Sequence, residues 1–455
     1  MIQVIASIPR RRSAFAAAAA VLAVSVAAAI PAAAQMGPGD MASAVGAEAP
    51  VAGGAVSRWS LAADRLGRGA ANWRTQAVMH KAMHDALNAA EPRYARWAPP
   101  AADEPPAEGA APLVAVAAAA YQVLLARHPE HAPAEADALF REALRGEAPG
   151  PAVDDGIRLG ASIGLATVAR HPAPTALPRP FPTGLEPGRW RPTPPFLQLG
   201  LVGDDKPMLF GAKDGAELRG PPPPGLGEDR YREAVEEVRR LGGAVSAERT
   251  EGQRSAAYFW AYQSSQRGFV HLAAALLAER PLPGGAWDEA RAMSQLAAAL
   301  ADSFVMAWEE KRHFAFWRPI TAINQGSPGV AADPRWEALI PTPPHPDYPS
   351  GHSADCSTGA RVLEGVFGTA VAPFDYPAVG AEPPASRRFD TFADAADECG
   401  DSRVWAGAHF RFASEEGLRI GTVVAAKALK SVPPLAPNSA RPPLVSKVSQ
   451  PVSGR

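Results

Sequence analysis

Three short segments in the second half of the chain carry side chains that can bind an anion or transfer a proton. The first, "KRHFAFWRP", places Lys311 seven residues before Arg318, which Pro319 follows. Seven residues are about two helical turns, so we expect both cations on one face of a helix that ends at Arg318, at the edge of a pocket. In isolation, two such cations are also typical of a helix C-terminus, where they oppose the macrodipole.

The second segment, "PHPDYPSGHSADC", combines a hydroxyl, an accessible backbone amide and an imidazole. Ser350, Gly351 and His352 provide these groups at a predicted helix N-terminus. Free N–H groups and the helix dipole bind oxyanions at such a position. An ordinary Pro-Ser helix cap with an incidental histidine is the alternative.

The third segment, "SRVWAGAHFRF", places Arg403 six residues before His409. Side chains on successive turns can face one cavity. A surface arginine and a core histidine would give the same pattern.

Together, the segments favour a site for a tetrahedral or trigonal-bipyramidal oxyanion. Lys311, Arg318 and Arg403 would neutralise its outer oxygens, and arginine adds forked hydrogen bonds. Each close ion pair contributes up to about 4 kcal/mol at an effective dielectric near 20, before desolvation is subtracted. Three cations without carboxylate partners would repel one another, and an anionic ligand removes that conflict.

Composition limits the partners of the chain. The sequence holds 45 basic and 47 acidic side chains, so no global field recruits nucleic acid or an acidic membrane surface. After the first 35 residues, no stretch reaches the roughly 18 uninterrupted apolar residues that would cross a bilayer. We therefore expect a mature chain without a transmembrane segment.

The first residues are typical of an export signal. Three arginines at 10–12 precede an apolar stretch at 14–30, and three alanines before Gln35 form a small-residue cleavage site. We expect a signal peptide at 1–34 and a periplasmic or secreted protein, exported by the general secretory route. In an oxidising compartment Cys356 and Cys399 can pair, although two buried free thiols fit the sequence equally well.

Apolar periodicity predicts an all-α fold of two packed helical bundles. Strand patterns are nearly absent, and prolines interrupt the helices between residues 172 and 228. The expected organisation is a flexible segment at 35–56, an N-terminal bundle at 57–171, a Pro-rich connection at 172–228, a C-terminal bundle with the anion site at 229–431, and a flexible tail at 432–455. Predicted helices of the second half include 287–311, 353–367, 386–404 and 415–429.

As a set, the three segments resemble the signature shared by type 2 phosphatidic acid phosphatases, soluble bacterial acid phosphatases and vanadium haloperoxidases. The segments "MHKAMHDALNAAEPRY", "GRWRPTPP" and "PTPPHPDYPSGHS" extend the resemblance to bacterial vanadium chloroperoxidase-like proteins over most of the mature chain. This resemblance implies a haloperoxidase-like fold of two bundles and a cofactor, vanadate, or phosphate in the same pocket.

The resemblance also implies a role for each matched residue. The oxygens of vanadate would be held by Lys311, Arg318, Ser350, the Gly351 amide and Arg403. His409 would be the metal ligand, and His352 the acid/base. The reactants would be hydrogen peroxide, a halide and a small organic acceptor.

His345 bears on the choice of halide. Bromide-oxidising haloperoxidases resemble this chain in having a histidine at this place, whereas fungal chloride oxidisers have an aromatic residue. The resemblance therefore favours bromide or iodide. A loop histidine between two prolines is the structural alternative.

One position departs from the resemblance. The family has an aspartate four residues after the last histidine, where this chain has Ala413. A carboxylate there helps to orient its surroundings, and Asp397, Asp401 or Glu415 are candidates to replace it.

Two other functions remain open. The same pocket suits a soluble acid phosphatase in which His409 attacks phosphorus and His352 protonates the leaving group. An exported anion-binding protein without catalysis is the other reading. The apolar helix faces are compatible with contacts inside the chain or with a homodimer.

Overall fold

The structure is a computed structural model that describes residues 54–66, 70–130, 133–173, 177–198, 200–203, 205–210, 219–262, 264–368, 373–379 and 386–435. Contacts between Cα atoms divide the chain into Met1–Val51 and Ala52–Arg455, and every described residue belongs to the second unit. The predicted export signal, most of the flexible segment that follows it, and residues 436–455 of the predicted tail lie outside the described residues.

Helices dominate the described residues, and the all-α prediction is confirmed. The first half contains α1 (Ser57–Leu66), α2 (Ala70–Ala90), α3 (Pro112–Arg127), α4 (Pro133–Arg145) and α5 (Pro151–Arg170). The second half contains α6 (Asp229–Leu241), α7 (Glu251–Tyr262), α8 (Ser265–Glu279), α9 (Ala286–Phe314), α10 (Pro319–Gln325), α11 (Gly351–Phe367), α12 (Phe392–Trp405) and α13 (Arg411–Lys430). Two short antiparallel pairs join β1 (Arg179–Pro180) to β2 (Leu201–Val202) and β3 (Phe374–Tyr376) to β4 (Arg387–Phe389).

The long helix α9 connects the two halves. Acidic Asp288 and Glu289 lie in its first turn and basic Lys311 in its last, which complements the helix dipole. The helix ends where Ala315 adopts a left-handed backbone with φ of 45°. Along its length α9 packs against α2 of the first half and against α11 and α13 of the second. The largest hydrophobic cluster accordingly draws residues from both halves.

Helices α11 and α13 approach each other unusually closely. A Cβ atom at Gly417 would lie 2.4 Å from the Ser350 carbonyl oxygen, and one at Gly421 would lie 2.5 Å from Cβ of Ser357. Real Cβ contacts are longer, so glycine is required at both positions for this packing. The approach places α13 directly against the N-terminus of α11.

The Pro-rich connection contains no helix in its described part. It packs instead against the segment after α9: the Trp190 amide donates to the Ala315 carbonyl at 2.8 Å, and the Trp317 amide donates to Gly188 at 3.0 Å. The side chain of Trp190 is buried. The connection therefore holds the strand-like segment that leads to Arg318.

One helix begins well after the residue at which the sequence predicts it. The helix predicted at 386–404 begins only at Phe392, because the Thr391 hydroxyl accepts from the Asp394 amide at 3.1 Å and caps it. Residues before the cap form β4 instead.

In the described part of the chain, no helix is long and apolar enough to span a bilayer.

Candidate oxyanion site

The three reactive segments meet at one cavity of about 150 Å³. Five of the predicted site residues line it: His345, Gly351, His352, Arg403 and His409. The other three, which are Lys311, Arg318 and Ser350, are fully buried and lie outside its lining. The structure thus brings all three segments together, with Lys311 and Arg318 buried behind the wall of the cavity.

Lys311 binds the loop before α11. Its ammonium group donates to the carbonyls of Pro346 at 2.8 Å and Asp347 at 3.0 Å, and also to the carbonyl of Pro349. Burial, and then the charge of Arg318, lower the pKa of Lys311 well below its usual value. All three N–H bonds are engaged by backbone, so the lysine fixes the loop and contributes its charge from behind.

Arg318 does not end a helix, and that prediction is wrong. Helix α9 ends at Phe314, since Ala315 turns the chain into a left-handed conformation. Arg318 is instead the extended N-cap residue of α10, with ψ of 157°, and Pro319 begins that helix. Proline suits the first helical position because its missing N–H would have no partner there. Lys311 and Arg318 therefore meet through the loop rather than along one helix face.

The guanidinium of Arg318 joins two histidines. Its Nη1 lies 3.1 Å from Nε2 of His409, and its Nη2 lies 3.0 Å from Nδ1 of His345. A guanidinium can only donate, so the ring nitrogen accepts in each of these two contacts. Nδ1 of His345 then cannot donate to the Pro346 carbonyl, which lies 3.3 Å away. Burial lowers the pKa of Arg318 to about 10, against the opposing effect of Asp347.

Asp347 completes the surroundings of His409, and the sequence analysis missed it. Nδ1 of His409 lies 2.9 Å from Oδ1 of Asp347. Because Arg318 donates to Nε2, the ring proton belongs on Nδ1, facing this carboxylate. Neither oxygen of Asp347 has a donor at hydrogen-bonding geometry in the described part of the chain, so the contact between the carboxyl group and the neutral imidazole is electrostatic. Burial raises the pKa of Asp347 to about 7, opposed by Arg318 and Lys311.

Asp347, and not one of the expected substitutes, is the carboxylate beside His409. Asp401 and Glu415 form ion pairs with arginines that do not line the cavity, and Asp397 is exposed. A signal existed in the sequence, since Asp347 is the one acidic residue in the loop at 341–350.

Ser350 and Gly351 begin α11 as predicted. The Ser350 hydroxyl accepts from the Ser353 amide at 3.3 Å and from the Ser353 hydroxyl at 2.8 Å. A hydroxyl with two accepted bonds keeps its own proton for donation. At Gly351, a Cβ atom would lie 2.7 Å from the Trp308 ring. Only glycine allows the backbone amide to reach the cavity wall beside that ring.

Arg403 is the cation with unused donors. The residue is 1% exposed, yet its Nε and Nη1 have no hydrogen-bond partner among the described residues. Burial, and then Arg318, lower the pKa of Arg403 to about 9. Buried donors without partners are costly and rare. Together with the Nε2 lone pair of His409 and the Gly351 amide, these donors fit an oxyanion such as vanadate or phosphate.

His352 lies half-buried on the cavity wall, as the second residue of α11. Burial lowers the pKa of His352 well below its usual value, and Arg403 and Lys311 lower it further. Burial also lowers the pKa of His409 well below its usual value, and Arg318 and Lys311 lower it further. An anion between these cations would oppose both shifts.

Aromatic rings form a second part of the wall that the sequence analysis did not assign to the site. Trp73 comes from α2, and Phe304 and Trp308 from α9. Phe304 and Trp308 stack with ring centroids 4.1 Å apart, and Trp308 lies 5.2 Å from His345. Their helical spacing is that of ordinary core residues, so no pattern distinguished them.

A polar part of the wall was also missed. Ser264, Ser265, Gln266 and Asp355 line the cavity beside His352. The first three begin α8, where the Ser264 hydroxyl accepts from the Arg267 amide as the N-cap. Nothing in their spacing links them to the three reactive segments.

The two cysteines are joined. A disulfide between Cys356 and Cys399 links α11 to α12, at a sequence separation of 43. Each cysteine lies four residues, about one turn, from a site residue of its own helix, His352 or Arg403. A cross-link closing a loop of this length stabilises a fold by about 4 kcal/mol through the unfolded chain.

Comparisons with known proteins identify the class. Residues 291–436 match the family described as the VCPO second helical-bundle domain. Over 162 residues the chain is 29% identical to the vanadium chloroperoxidase of Curvularia inaequalis. The aligned region covers 29% of this chain and 27% of that protein. The resemblance to vanadium haloperoxidases is therefore confirmed.

Solved structures show the same fold. A bacterial vanadium-dependent iodoperoxidase superposes with a TM-score of 0.67 at 22% identity, over 84% of this chain and 96% of that chain. The apo-type and holo-type structures of a bacterial vanadium-dependent chloroperoxidase give 0.55 and 0.53, at 18% and 17% identity. They cover 78% and 84% of this chain, and 92% and 93% of theirs.

Proposed function

We propose that this protein is a vanadium-dependent haloperoxidase, which oxidises halide with hydrogen peroxide to hypohalous acid. The observation that carries the proposal is Arg403, a buried cation with two unpartnered donors in the same cavity as His409 and His352. A fold gains nothing from such a group by itself, because an unpaired buried charge is destabilising. An anionic cofactor gives it a partner.

Donor groups and buried charges would hold vanadate together. Arg403, the Gly351 amide and the Ser350 hydroxyl would donate to its oxygens, while Lys311 and Arg318 neutralise charge from behind. His409 would ligate the metal through Nε2. When bound, vanadate supplies a Lewis acid that activates peroxide without a change in its own oxidation state.

Asp347 and Arg318 would determine the state of His409. The carboxylate faces Nδ1 at 2.9 Å and favours a proton there. The lone pair is then on Nε2, the ring nitrogen that does not face Asp347. This lone pair accepts from Nη1 of Arg318 at 3.1 Å. A ligand at Nε2 would take the place of that hydrogen bond.

His352 is the group that would transfer protons. Oxidation of one halide X⁻ by one peroxide follows H₂O₂ + X⁻ + H⁺ → HOX + H₂O, so each turnover consumes a proton and releases water. A neutral imidazole on the cavity wall can take a proton from incoming peroxide and return one to the leaving oxygen. Its position at the N-terminus of α11, beside Gly351, suits this task.

We infer iodide or bromide as the preferred halide. His345 accepts from Arg318 and lies against Trp308, which gives this side of the cavity a polar edge and a polarisable aromatic surface. The iodoperoxidase among the structural relatives supports this choice. A small electron-rich organic compound would be the final acceptor. The Cys356–Cys399 disulfide supports a periplasmic or secreted location, because such bonds persist in oxidising compartments.

The test is halide oxidation by purified protein with iodide, bromide or chloride and hydrogen peroxide, with and without orthovanadate. We expect vanadate-dependent oxidation that is lost in His409→Ala. His313→Ala is the matched control, since His313 is exposed on α9 and lies outside the cavity lining. That control should retain the activity of the unaltered protein.

A phosphatase assay on the vanadate-free protein covers the main alternative. Hydrolysis of p-nitrophenyl phosphate without any halide oxidation would overturn the proposal in favour of a phosphohistidine at His409. Tight vanadate binding with neither activity would instead indicate an anion-binding protein.

A further inference from the structure

Asp355 is a buried carboxyl group on the wall of the cavity. It is 8% exposed and lies three residues after His352 on α11. Side chains at this spacing are neighbours on one helix face, and both line the cavity. The carboxyl group thus shares the cavity with the acid/base histidine.

Every hydrogen-bond partner of Asp355 is neutral. Its Oδ1 accepts from the Gln266 amide at 2.9 Å and from the Ser303 hydroxyl at 3.2 Å, and the Ser265 hydroxyl lies 3.3 Å from Oδ2. Within the described part of the chain, no cation lies at ion-pair distance from it. An ionised carboxylate in such surroundings is costly. Burial accordingly raises the pKa of Asp355 to about 7, although these three bonds lower it in part.

These contacts do not require an acid. Asparagine could accept the same bonds from Gln266 and Ser303 and would carry no charge to bury. What aspartic acid adds is an exchangeable proton. The Ser265 hydroxyl can accept as well as donate, so Oδ2 is the oxygen on which that proton can reside.

We propose that Asp355 is the proton store of the cavity, which returns to His352 the proton that each turnover consumes. The inference rests on the proposed haloperoxidase function. As the O–O bond breaks and the oxygen–halogen bond forms, halide loses two electrons to peroxide and His352 gives a proton to the leaving oxygen. That first proton is the one the imidazole took from peroxide, so the imidazole is neutral again. The second proton that converts the leaving oxygen to water comes from Asp355: its O–H bond breaks, the proton passes through the imidazole to that oxygen, and the carboxylate takes a proton from solvent.

The first test is the pH profile of halide oxidation by vanadate-loaded Asp355→Asn. In the unaltered protein, activity should fall as pH rises through about 7, because the raised pKa of Asp355 keeps it protonated only below that value. In the variant, kcat should drop roughly 100-fold, the low end of what a positioned proton donor contributes. The limb of the pH profile in which activity falls through about pH 7 should disappear. Equilibrium dialysis with vanadate should show unchanged cofactor affinity.

Ser303→Ala separates this role from a structural one. Ser303 donates to Asp355 and does not line the cavity. Because its hydrogen bond lowers the pKa of Asp355, removing it should move the limb to higher pH. A purely structural carboxyl group would leave the position of the limb unchanged. This variant also keeps the inference testable if Asp355→Asn fails to fold.

Infrared titration of the vanadate-free protein gives a readout without turnover. The spectrum of the unaltered protein minus that of Asp355→Asn should contain a protonated-carboxyl band that vanishes as pH rises through about 7. A carboxylate ionised throughout, or a variant with the pH profile of the unaltered protein, would overturn the inference. If the unaltered protein oxidises no halide, the proposed function fails, and the titration still decides whether Asp355 stores a proton.

Discussion

At the residue scale, His409 depends on a carboxylate from the loop before α11. In metal sites a carboxylate behind a ligating histidine fixes its tautomer and raises its basicity. The position usually associated with this task, four residues after the histidine, is Ala413 here. Asp347, from the loop before α11, instead provides the carboxyl group beside this ring.

We expect Asp347→Asn to weaken vanadate binding about 10-fold or more, as is typical when the partner of a metal-ligating histidine is changed. Phosphate, which needs only charge and hydrogen bonds, should bind as before or more tightly, because a negative charge leaves the pocket. Competition dialysis of both anions measures the difference. Asp401→Asn, outside the cavity lining, is the control. Equal losses for both anions would contradict this role.

The sequence predicted those parts of the site that are local. A serine, a glycine and a histidine after proline are typical of a helix N-terminus, and Ser350 caps α11 as expected. The sequence could not predict contacts that depend on the tertiary fold. Trp73, for example, reaches the cavity wall from α2, more than 200 residues before His352. The end of α9 was missed because the left-handed turn at Ala315 is not favoured by alanine itself.

At the element scale, the packing of α13 on α11 positions the N-terminus that carries Gly351 and His352. The two helices meet through glycine, and the Ser350 amide donates to the Ala413 carbonyl at 2.8 Å just before α11 begins. Any increase in the distance between these helices would therefore move the loop that Lys311 binds.

Gly417→Ala should destabilise the protein by about 1–3 kcal/mol, the usual cost of overpacking. Its Cβ atom would lie 2.4 Å from the Ser350 carbonyl oxygen, so vanadate affinity should fall as well. Urea unfolding and dialysis measure the two effects. Gly252→Ala in α7, whose nearest contact is the Thr250 hydroxyl at 3.9 Å, should leave vanadate affinity unchanged and should not destabilise the protein, since alanine is favoured over glycine in a helix. A stable Gly417→Ala protein with normal affinity would contradict the packing argument.

At the scale of the whole molecule, we expect the candidate oxyanion site to couple anion binding to folding. Three buried cations converge on one cavity, and their pKa values are all lowered. An anion that binds only the folded chain removes this repulsion and stabilises the fold by mass action.

Phosphate should therefore raise the midpoint of thermal unfolding. At about 100 times the dissociation constant the gain is about 2.7 kcal/mol. Arg403→Gln should lose most of this gain, because it removes the cation whose donors are unpartnered. Arg388→Gln, on an exposed part of β4, should retain it. A phosphate response in Arg403→Gln equal to that of the unaltered protein would exclude this pocket as the anion site.

The three carbonyls that Lys311 binds have a consequence for how the protein distinguishes one anion from another. The loop from Pro346 to Pro349 is already ordered by its bonds to Lys311 in the folded protein. The protein therefore loses little conformational entropy when an anion binds. Vanadate and phosphate then meet the same preorganised donors. If His409 is the metal ligand, as we propose, we expect discrimination between the two anions to arise at its Nε2, which would bond to vanadium but not to ground-state phosphorus.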